Sequence, residues 1–236
     1  MGEGDEAIDN ITRDLGAAGL AALAVTLVSV NRGVSRVIGE RHGRPVRSAI
    51  GKAPVAQETV CFGREGISGD QQINRLLHGG RDKAVCAYAA SNWPWWRDEK
   101  GLDCAEGSFG ENLTLLGVNE ETVCIGDRFS WDDVILEVTQ PRGPCANLNL
   151  YHGRVDIAQA IVRSGRCGWY MRVIREGHAS TGNVPVRHIR AQGTPTIREA
   201  FAARHDSRTS LALRQRVQEL SQLSANWRRA MTRTSA

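Results

Sequence analysis

The amino-acid sequence predicts a mostly β protein with added helices, an α+β chain: a closed, strand-rich domain over about 23–192 and a small three-helix segment over 193–236. Three observations carry this prediction. Short strand-like runs separated by glycine-rich turns recur from position 24 to 177. Few stretches inside that span have helical spacing. Past "AQGTPT" (191–196) the pattern changes to three short amphipathic stretches.

Residues 1–22 are rich in Gly and Ala and read as a loose leader. "AVTLVSVNRG" (24–33) is a first strand closed by Asn-Arg-Gly. "RPVRSAIGKAPV" (44–55) and "ETVCFGREGISGD" (58–70) read as further strands with glycine turns. "KAVCAYAASNWPWWRDE" (83–99) has helical spacing, with Val85, Ala89 and Trp93 on one face and Pro94 interrupting it. "GSFGENLTLLG" (107–117) and "TVCIGDRFSWDDVILEVTQP" (122–141) return to strands, with "GD" and "DD" marking hairpin turns. "DIAQAIVRSG" (156–165) is a helix stopped by Gly165, and "CGWYMRVIREG" (167–177) is another strand. "PTIREAFAARHD", "SRTSLALRQRVQEL" and "SANWRRAMT" supply three terminal helices. Leu213, Val217 and Leu220 share a face, as do Trp227 and Met231. Their apolar area is too small for an independent fold, so they are expected to dock on the strand-rich domain.

The hydrophobic share of 41% and charged share of 24% are those of an ordinary globular protein, and the net charge of +4 is mild. Arg198, Arg204, Arg208, Arg214, Arg216, Arg228, Arg229 and Arg233 accumulate near the C-terminus. No aromatic interleaving or reader motif accompanies them, so they read as solvated helix faces and nucleic acid is not expected as a partner. The six cysteines contain no C-x-x-C and read as reduced thiols of a cytoplasmic protein. "LGAAGLAALAVTLVSV" (15–30) is short for a membrane span and follows acidic rather than basic residues, so neither export nor membrane insertion is expected.

Four stretches could carry chemistry. In "GISGDQQINRLLHGGRDKAV" (66–85), His78, Gly79 and Gly80 precede Arg81 and Lys83; consecutive glycines can turn backbone N–H groups into an anion-holding nest. "GSFGENLTLLG" puts Glu111 and Asn112 after two glycines, donors and acceptors suited to a heterocycle edge. In "PRGPC", Pro141 ends a strand and "CANLNL" can begin a helical turn, so Cys145 sits near a helix N-terminus with Arg142 close by; both effects favour thiolate. Lys52 in "GKAPV" is a positioned ammonium suited to a phosphate or oxo group. Each has a plain structural alternative: a glycine turn, a loop entering a strand, a packing thiol, a surface lysine. Cys61, Cys124 and Cys167, beside strand-like runs, and Cys86, on the face of the expected helix, read as core thiols. Trp93, Trp95 and Trp96 read as aromatic packing. No G-x-S-x-G, H-E-x-x-H, Walker or dinucleotide motif is present. A Cys–His pair of Cys145 with His78 or His152 has no spacing that fixes it.

Taken in order, "GKAPV", "GISGDQQ", "HGGRDKAV", "GSFGENLT", "IGDRF" and "PRGPC" resemble the MOSC family, domains related to the C-terminal part of molybdenum cofactor sulfurase. "SGRCGWYMRVIREG" and the helical stretch with "SANWR" resemble its bacterial YiiM-type branch. The resemblance implies a strand-rich MOSC β-barrel that binds molybdenum cofactor (molybdopterin), with Cys145 as the metal's thiolate ligand. It implies that Lys52 and Arg142 line the site as catalytic groups, and that His78, Gly79, Gly80, Lys83, Glu111 and Asn112 form cofactor-facing loops. The implied activity is reduction of N-hydroxylated compounds such as hydroxylaminopurine bases, with electrons from a separate reductase and room for a homodimer. Asn74, where relatives usually carry Asp, and Asn147, often Lys, depart from the pattern and bear on substrate preference. Two rival roles share the same residues: a carrier of the cofactor without turnover, and a persulfide carrier through Cys145. Sulfurase-type MOSC domains normally follow a pyridoxal-phosphate domain, and none fits within this length.

Overall fold

The computed structural model describes residues 22–73, 79–188 and 193–233. Most of the leader, together with Asn74 and His78, lies outside them. Nine strands, numbered along the chain, form one curled sheet. Its order is β1 (Ala22–Ala24), β14 (Val186–His188), β10 (Arg128–Trp131), β11 (Val134–Pro141), β12 (Trp169–Arg175), β8 (Val85–Ala89), β9 (Leu113–Leu116), β2 (Thr26–Arg32) and β5 (Ala53–Pro54). Every pairing is antiparallel except β8 with β9. Only the buried Val25 separates β1 from β2, although β1 begins that order and β2 stands next to its far end. One stretch of chain therefore closes the curl by continuity, bending at Val25, whose N–H bonds to the Pro185 carbonyl.

Two small sheets flank it. β13 (Gly177–Ser180), β6 (Thr59–Gly63) and β7 (Gly66–Ile67) form one. β3 (Arg36–Arg41) and β4 (Arg44–Ser48) form a hairpin whose turn residues, His42 and Gly43, both have positive φ, as a type I′ turn requires. The Asp132-Asp133 turn expected from "DD" joins β10 to β11.

The helix expected over 83–99 is not one helix. Val85–Ala89 is strand β8, buried at all five positions, followed by a 3-10 turn over Ala90–Asn92 and helix α1 (Trp93–Lys100). A strand covered on both faces loses its polar alternation, so its periodicity resembles that of a buried helix. Pro94 starts α1 rather than interrupting it, because the first helical turn needs no proline N–H. Trp96 is fully buried and donates from its indole nitrogen to the Tyr88 hydroxyl at 2.6 Å. Helices α2 (Ala146–Tyr151) and α3 (Ile157–Ser164) follow, and α3 ends on Gly165 at φ 68°, as the sequence predicts.

The terminal helices are α4 (Ile197–His205), α5 (Leu211–Glu219) and α6 (Ala225–Arg233). Thr196 and Glu199 form a reciprocal capping box on α4. Phe201, Val217, Trp227 and Met231 join the core cluster of the sheet. Ser224 fastens this segment to β11: its hydroxyl donates to the Gln140 amide oxygen at 2.6 Å and its N–H to the Thr139 carbonyl at 3.0 Å. The C-terminal arginines are largely engaged within the fold. Arg198, Arg214, Arg216 and Arg228 donate to backbone carbonyls of Ser164, Ala203, Gly193 and Leu220, and Arg208 pairs with Asp206. The first four thereby bind carbonyls at helix ends and turns.

Candidate functional site

A cavity of about 540 Å³ opens where the ends of β8, β11 and β12 meet the segment between β4 and β5. Sheet register brings its floor together, since Tyr170 on β12 faces Gln140 on one side and Cys86 of β8 on the other. Two residues beyond Gln140, Arg142 is anchored by its N–H to the Gly168 carbonyl at 3.0 Å. Cys145 then caps α2 with extended backbone (φ −127°, ψ 122°), as expected of a cysteine near a helix N-terminus. Both side chains line the cavity, with Cys145 at 9% exposure and Arg142 at 5%.

Of the residues singled out in the sequence, Lys52, Lys83, Asn112, Arg142 and Cys145 line this one cavity. Glu111, Gly79 and Gly80 do not. Glu111 is fully buried and accepts from the N–H groups of Gly107 and Phe109, both at 2.9 Å, and from the Thr114 hydroxyl at 3.0 Å. Burial pushes its pKa up, against those hydrogen bonds. Its carboxylate thus holds its own loop, where the resemblance implied a group facing the cofactor. Gly80 caps the 3-10 turn Arg81–Lys83 and is exposed. His152 is not among the residues lining the cavity, and its Nε2 lies 2.9 Å from the Ser108 carbonyl oxygen. His78 lies outside the described residues.

The glycines of "GSFGEN" have a steric reason. Gly107 has φ +75°, and a Cβ there would stand 2.4 Å from the Lys52 carbonyl oxygen; one on Gly110 would stand 2.8 Å from Ile50. The loop presses against the segment that carries Lys52, and a polar chain locks the two together. Asp70, reached through the "GISGD" turn, accepts from Lys52 Nζ at 2.5 Å, Asn112 Nδ2 at 2.9 Å and the Gly33 N–H at 2.7 Å. Asn112 accepts from the Cys86 N–H at 3.1 Å, and Asn31 donates to Thr114, which donates to Glu111. Residues far apart in sequence thereby fix one ammonium at the cavity wall.

Sequence reasoning missed Asp70 as the hub, and missed Tyr170 and Cys86 as lining groups. Placing Cys86 on a helix hid that its side chain points with Tyr170. Burial raises the Cys86 pKa to about 11, against the nearby charges of Arg142 and Lys52, so it stays a neutral thiol. Burial also raises the Tyr170 pKa, while a hydrogen bond from Arg142 opposes that. Burial works against the Arg142 charge, yet its pKa lies above the usual guanidinium value, so it stays cationic. Lys83 is shifted down, first by burial and then by Arg204 of α4. Arg142 Nη1 is buried without a hydrogen-bond partner. No carboxylate is among the described residues lining the cavity. The site is therefore cationic, holds two thiols, and contains a donor that needs an acceptor.

The described residues contain no group of three or more His, Cys, Asp or Glu able to hold a metal. A metal here would need most of its ligands from a cofactor. A MOSC domain matches residues 74–186. The chain is 36% identical to the YflK protein of Bacillus subtilis (strain 168) over 207 residues, covering 86% of this chain and 91% of that one. The chain belongs to the MOSC family. Its YiiM-type character shows in the crystal structure of YiiM from Geobacillus stearothermophilus, which superposes with a TM-score of 0.73 at 31% identity over 90% of this chain and all of that one. A protein named reductase from Gibberella moniliformis is 36% identical over 145 residues, 60% of this chain and 26% of that one. MOSC domains are associated with molybdenum cofactor binding. The residues here fit such a group: Cys145 offers one sulfur, and Arg142 Nη1 and Lys52 offer positive charge to an anionic cofactor. No helix among the described residues is long and apolar enough to cross a membrane.

Proposed function

We propose that this MOSC protein reduces N-hydroxylated compounds, hydroxylaminopurine bases among them, to the amine and water at a molybdenum cofactor ligated by Cys145. The overall change is R–NHOH + 2 e⁻ + 2 H⁺ → R–NH₂ + H₂O. One observation carries the reading: Cys145, Arg142, Lys52 and Tyr170 converge on a single cavity without a described carboxylate, and Arg142 Nη1 has no partner there. When bound, the cofactor supplies a two-electron centre able to take oxygen from an N–O bond.

The chain's own residues bind and orient. Cys145 is placed by the Pro141–Pro144 turn and the start of α2, which leaves its sulfur at the cavity wall. Arg142 neutralises negative charge that develops on the departing oxygen; its side chain shares a hydrogen bond with Tyr170, and its backbone N–H is tied to the Gly168 carbonyl. Lys52, fixed by Asp70, is a second cation at the same wall. Tyr170 and Cys86 remain protonated, and each presents a neutral donor that can hold a proton at its oxygen or sulfur. Electrons come from a separate reductase.

The test is turnover. The protein, expressed in a host that makes the cofactor, is given a dithionite-reduced dye and hydroxylaminopurine, and adenine is measured. Wild type is expected to form adenine and Cys145→Ser to form almost none. Molybdenum-loaded wild type that reduces none of several N-hydroxylated compounds would overturn the enzyme reading in favour of a carrier.

A further inference from the structure

The reduction consumes two protons, and no carboxylate among the described residues lines the cavity to supply them. The lining arginines keep their protons. Cys145 is the sulfur offered to the metal, and the Lys52 ammonium is engaged by Asp70 at 2.5 Å. Burial pushes the pKa values of Cys86 and Tyr170 up, which makes both poor proton donors. Lys83 is the remaining ionisable group among the described lining residues.

Lys83 closes the 3-10 turn Arg81–Lys83 just before β8, and that turn is tied to the cavity floor. The Thr139 hydroxyl lies 2.6 Å from the Asp82 carbonyl oxygen and 3.0 Å from that of Tyr170, while the Asp82 carboxylate pairs with Arg172 of β12 at 3.2 Å. Thr139 also holds the C-terminal segment, because its carbonyl accepts from the Ser224 N–H. Ser224 in turn caps the Trp227 N–H with its hydroxyl at 3.0 Å, and the Arg204 guanidinium lies 4.6 Å from the centre of the Trp227 ring. One point of the fold therefore joins the turn that carries Lys83, the cavity floor and the helices that carry Arg204. No carboxylate pairs with Arg204 among the described residues. The charged groups of the described elements that act on Lys83 are Arg204 of α4 and Asp82 of its own turn; burial and Arg204 lower its pKa, and Asp82 opposes them.

We propose that Lys83 is the proton donor of the N–O reduction, and that the Arg204 guanidinium, brought toward it by the C-terminal helices, helps drive the proton off. This rests on the reductase reading above and assigns one of its protons. As the N–O bond breaks, the Lys83 ammonium gives one proton to the departing oxygen, is left as a neutral amine and takes a proton back from solvent. The second proton comes from solvent and the two electrons from the reductase, so the reaction balance stays as written. The transfer relieves the repulsion between two cations. Arg204 does not line the cavity and acts only through Lys83, as a positioning residue.

The test has two arms, both on the full-length protein. The first follows 13C-labelled lysine against pH by NMR in the cofactor-free protein, where Lys52, Lys83 and Lys100 are the chain's three lysines and Lys83→Arg assigns the signal. Arg204→Gln is expected to move the Lys83 titration to higher pH, and Arg204→Lys, which keeps the charge, to leave it near wild type. Equal Lys83 titrations in wild type and Arg204→Gln would overturn the part given to Arg204. The second arm measures reduction of hydroxylaminopurine by the loaded protein with a reduced dye. Lys83→Arg keeps the charge but not the transferable proton, so kcat is expected to fall about a hundredfold or more with KM and molybdenum content unchanged. The fall of wild-type kcat at alkaline pH is expected to move to higher pH in Arg204→Gln. A Lys83→Arg kcat within about twofold of wild type would overturn the inference. So would its loss of molybdenum, since Lys83 would then hold the cofactor. If wild type reduces nothing, the reductase reading fails and the proton role falls with it, while the NMR arm still decides whether Arg204 acts on Lys83.

Discussion

Asp70→Asn tests the claim that a buried ion pair positions the site. The Lys52 and Asp70 side chains are 7% and 3% exposed, and their charged atoms are 2.5 Å apart. The asparagine occupies the same space, and its oxygen can still accept from the Gly33 N–H. Its nitrogen, however, would face Lys52 Nζ and Asn112 Nδ2, so two donors lose their acceptor and one buried cation loses its counter-charge. Removing one partner of a buried pair costs about 3–5 kcal/mol. Lys52 borders the cavity, so water can reach it, and the lower end, about 3 kcal/mol, is expected. For a chain of this size that lowers Tm by about 6–12 °C. Thermal unfolding followed by circular dichroism reads the change, with urea unfolding checking that the m-value is unaltered. Lys52→Met combined with Asp70→Asn should recover part of the loss. A Tm within about 2 °C of wild type for Asp70→Asn would refute the reasoning.

Gly107→Ala is expected to lose about 2 kcal/mol or more, because the +75° φ disfavours a side chain and the methyl would meet the Lys52 carbonyl; urea midpoints read it. Ser224→Ala removes both the cap on the Trp227 N–H, at 3.0 Å, and the hydroxyl bonded to Gln140, and should cost about 2–3 kcal/mol in the same assay. Folding lowers the His205 pKa from 6.5 to about 4, first by burial and then through Arg204, so the unfolded chain binds more protons between those values. The contribution is full above about pH 6.5 and is lost as the pH falls toward 4, and partial exposure trims it to about 1–2 kcal/mol. His205→Phe, packed between Phe201 and Trp227, should flatten that part of the stability–pH curve. An unchanged slope would contradict the assignment.

Much of the fold is legible because local chemistry fixes it. The Gly165 stop, the Thr196–Glu199 box and the Asp132-Asp133 turn are set within a few residues, as is Cys145 at the head of α2. The strand β8 was not legible, since five consecutive buried residues carry no alternation, and the same blindness concealed Cys86 as a lining thiol. Glu111 and Asn112 are neighbours with opposite duties, one binding its own loop and the other the cavity wall. Only the path of the chain separates them. Asp70 becomes a hub only where three connections converge, a fact of tertiary structure. The β3–β4 hairpin went partly unread because Arg36–Arg41 has no buried face to impose a pattern.

The central claim is that the sulfur of Cys145 binds the metal, and X-ray absorption at the molybdenum edge of the loaded protein tests it most directly. Wild type and Cys86→Ser should show the same number of sulfur neighbours, and Cys145→Ser one fewer or a marked loss of metal. Identical molybdenum content and sulfur count in wild type and Cys145→Ser would contradict the account.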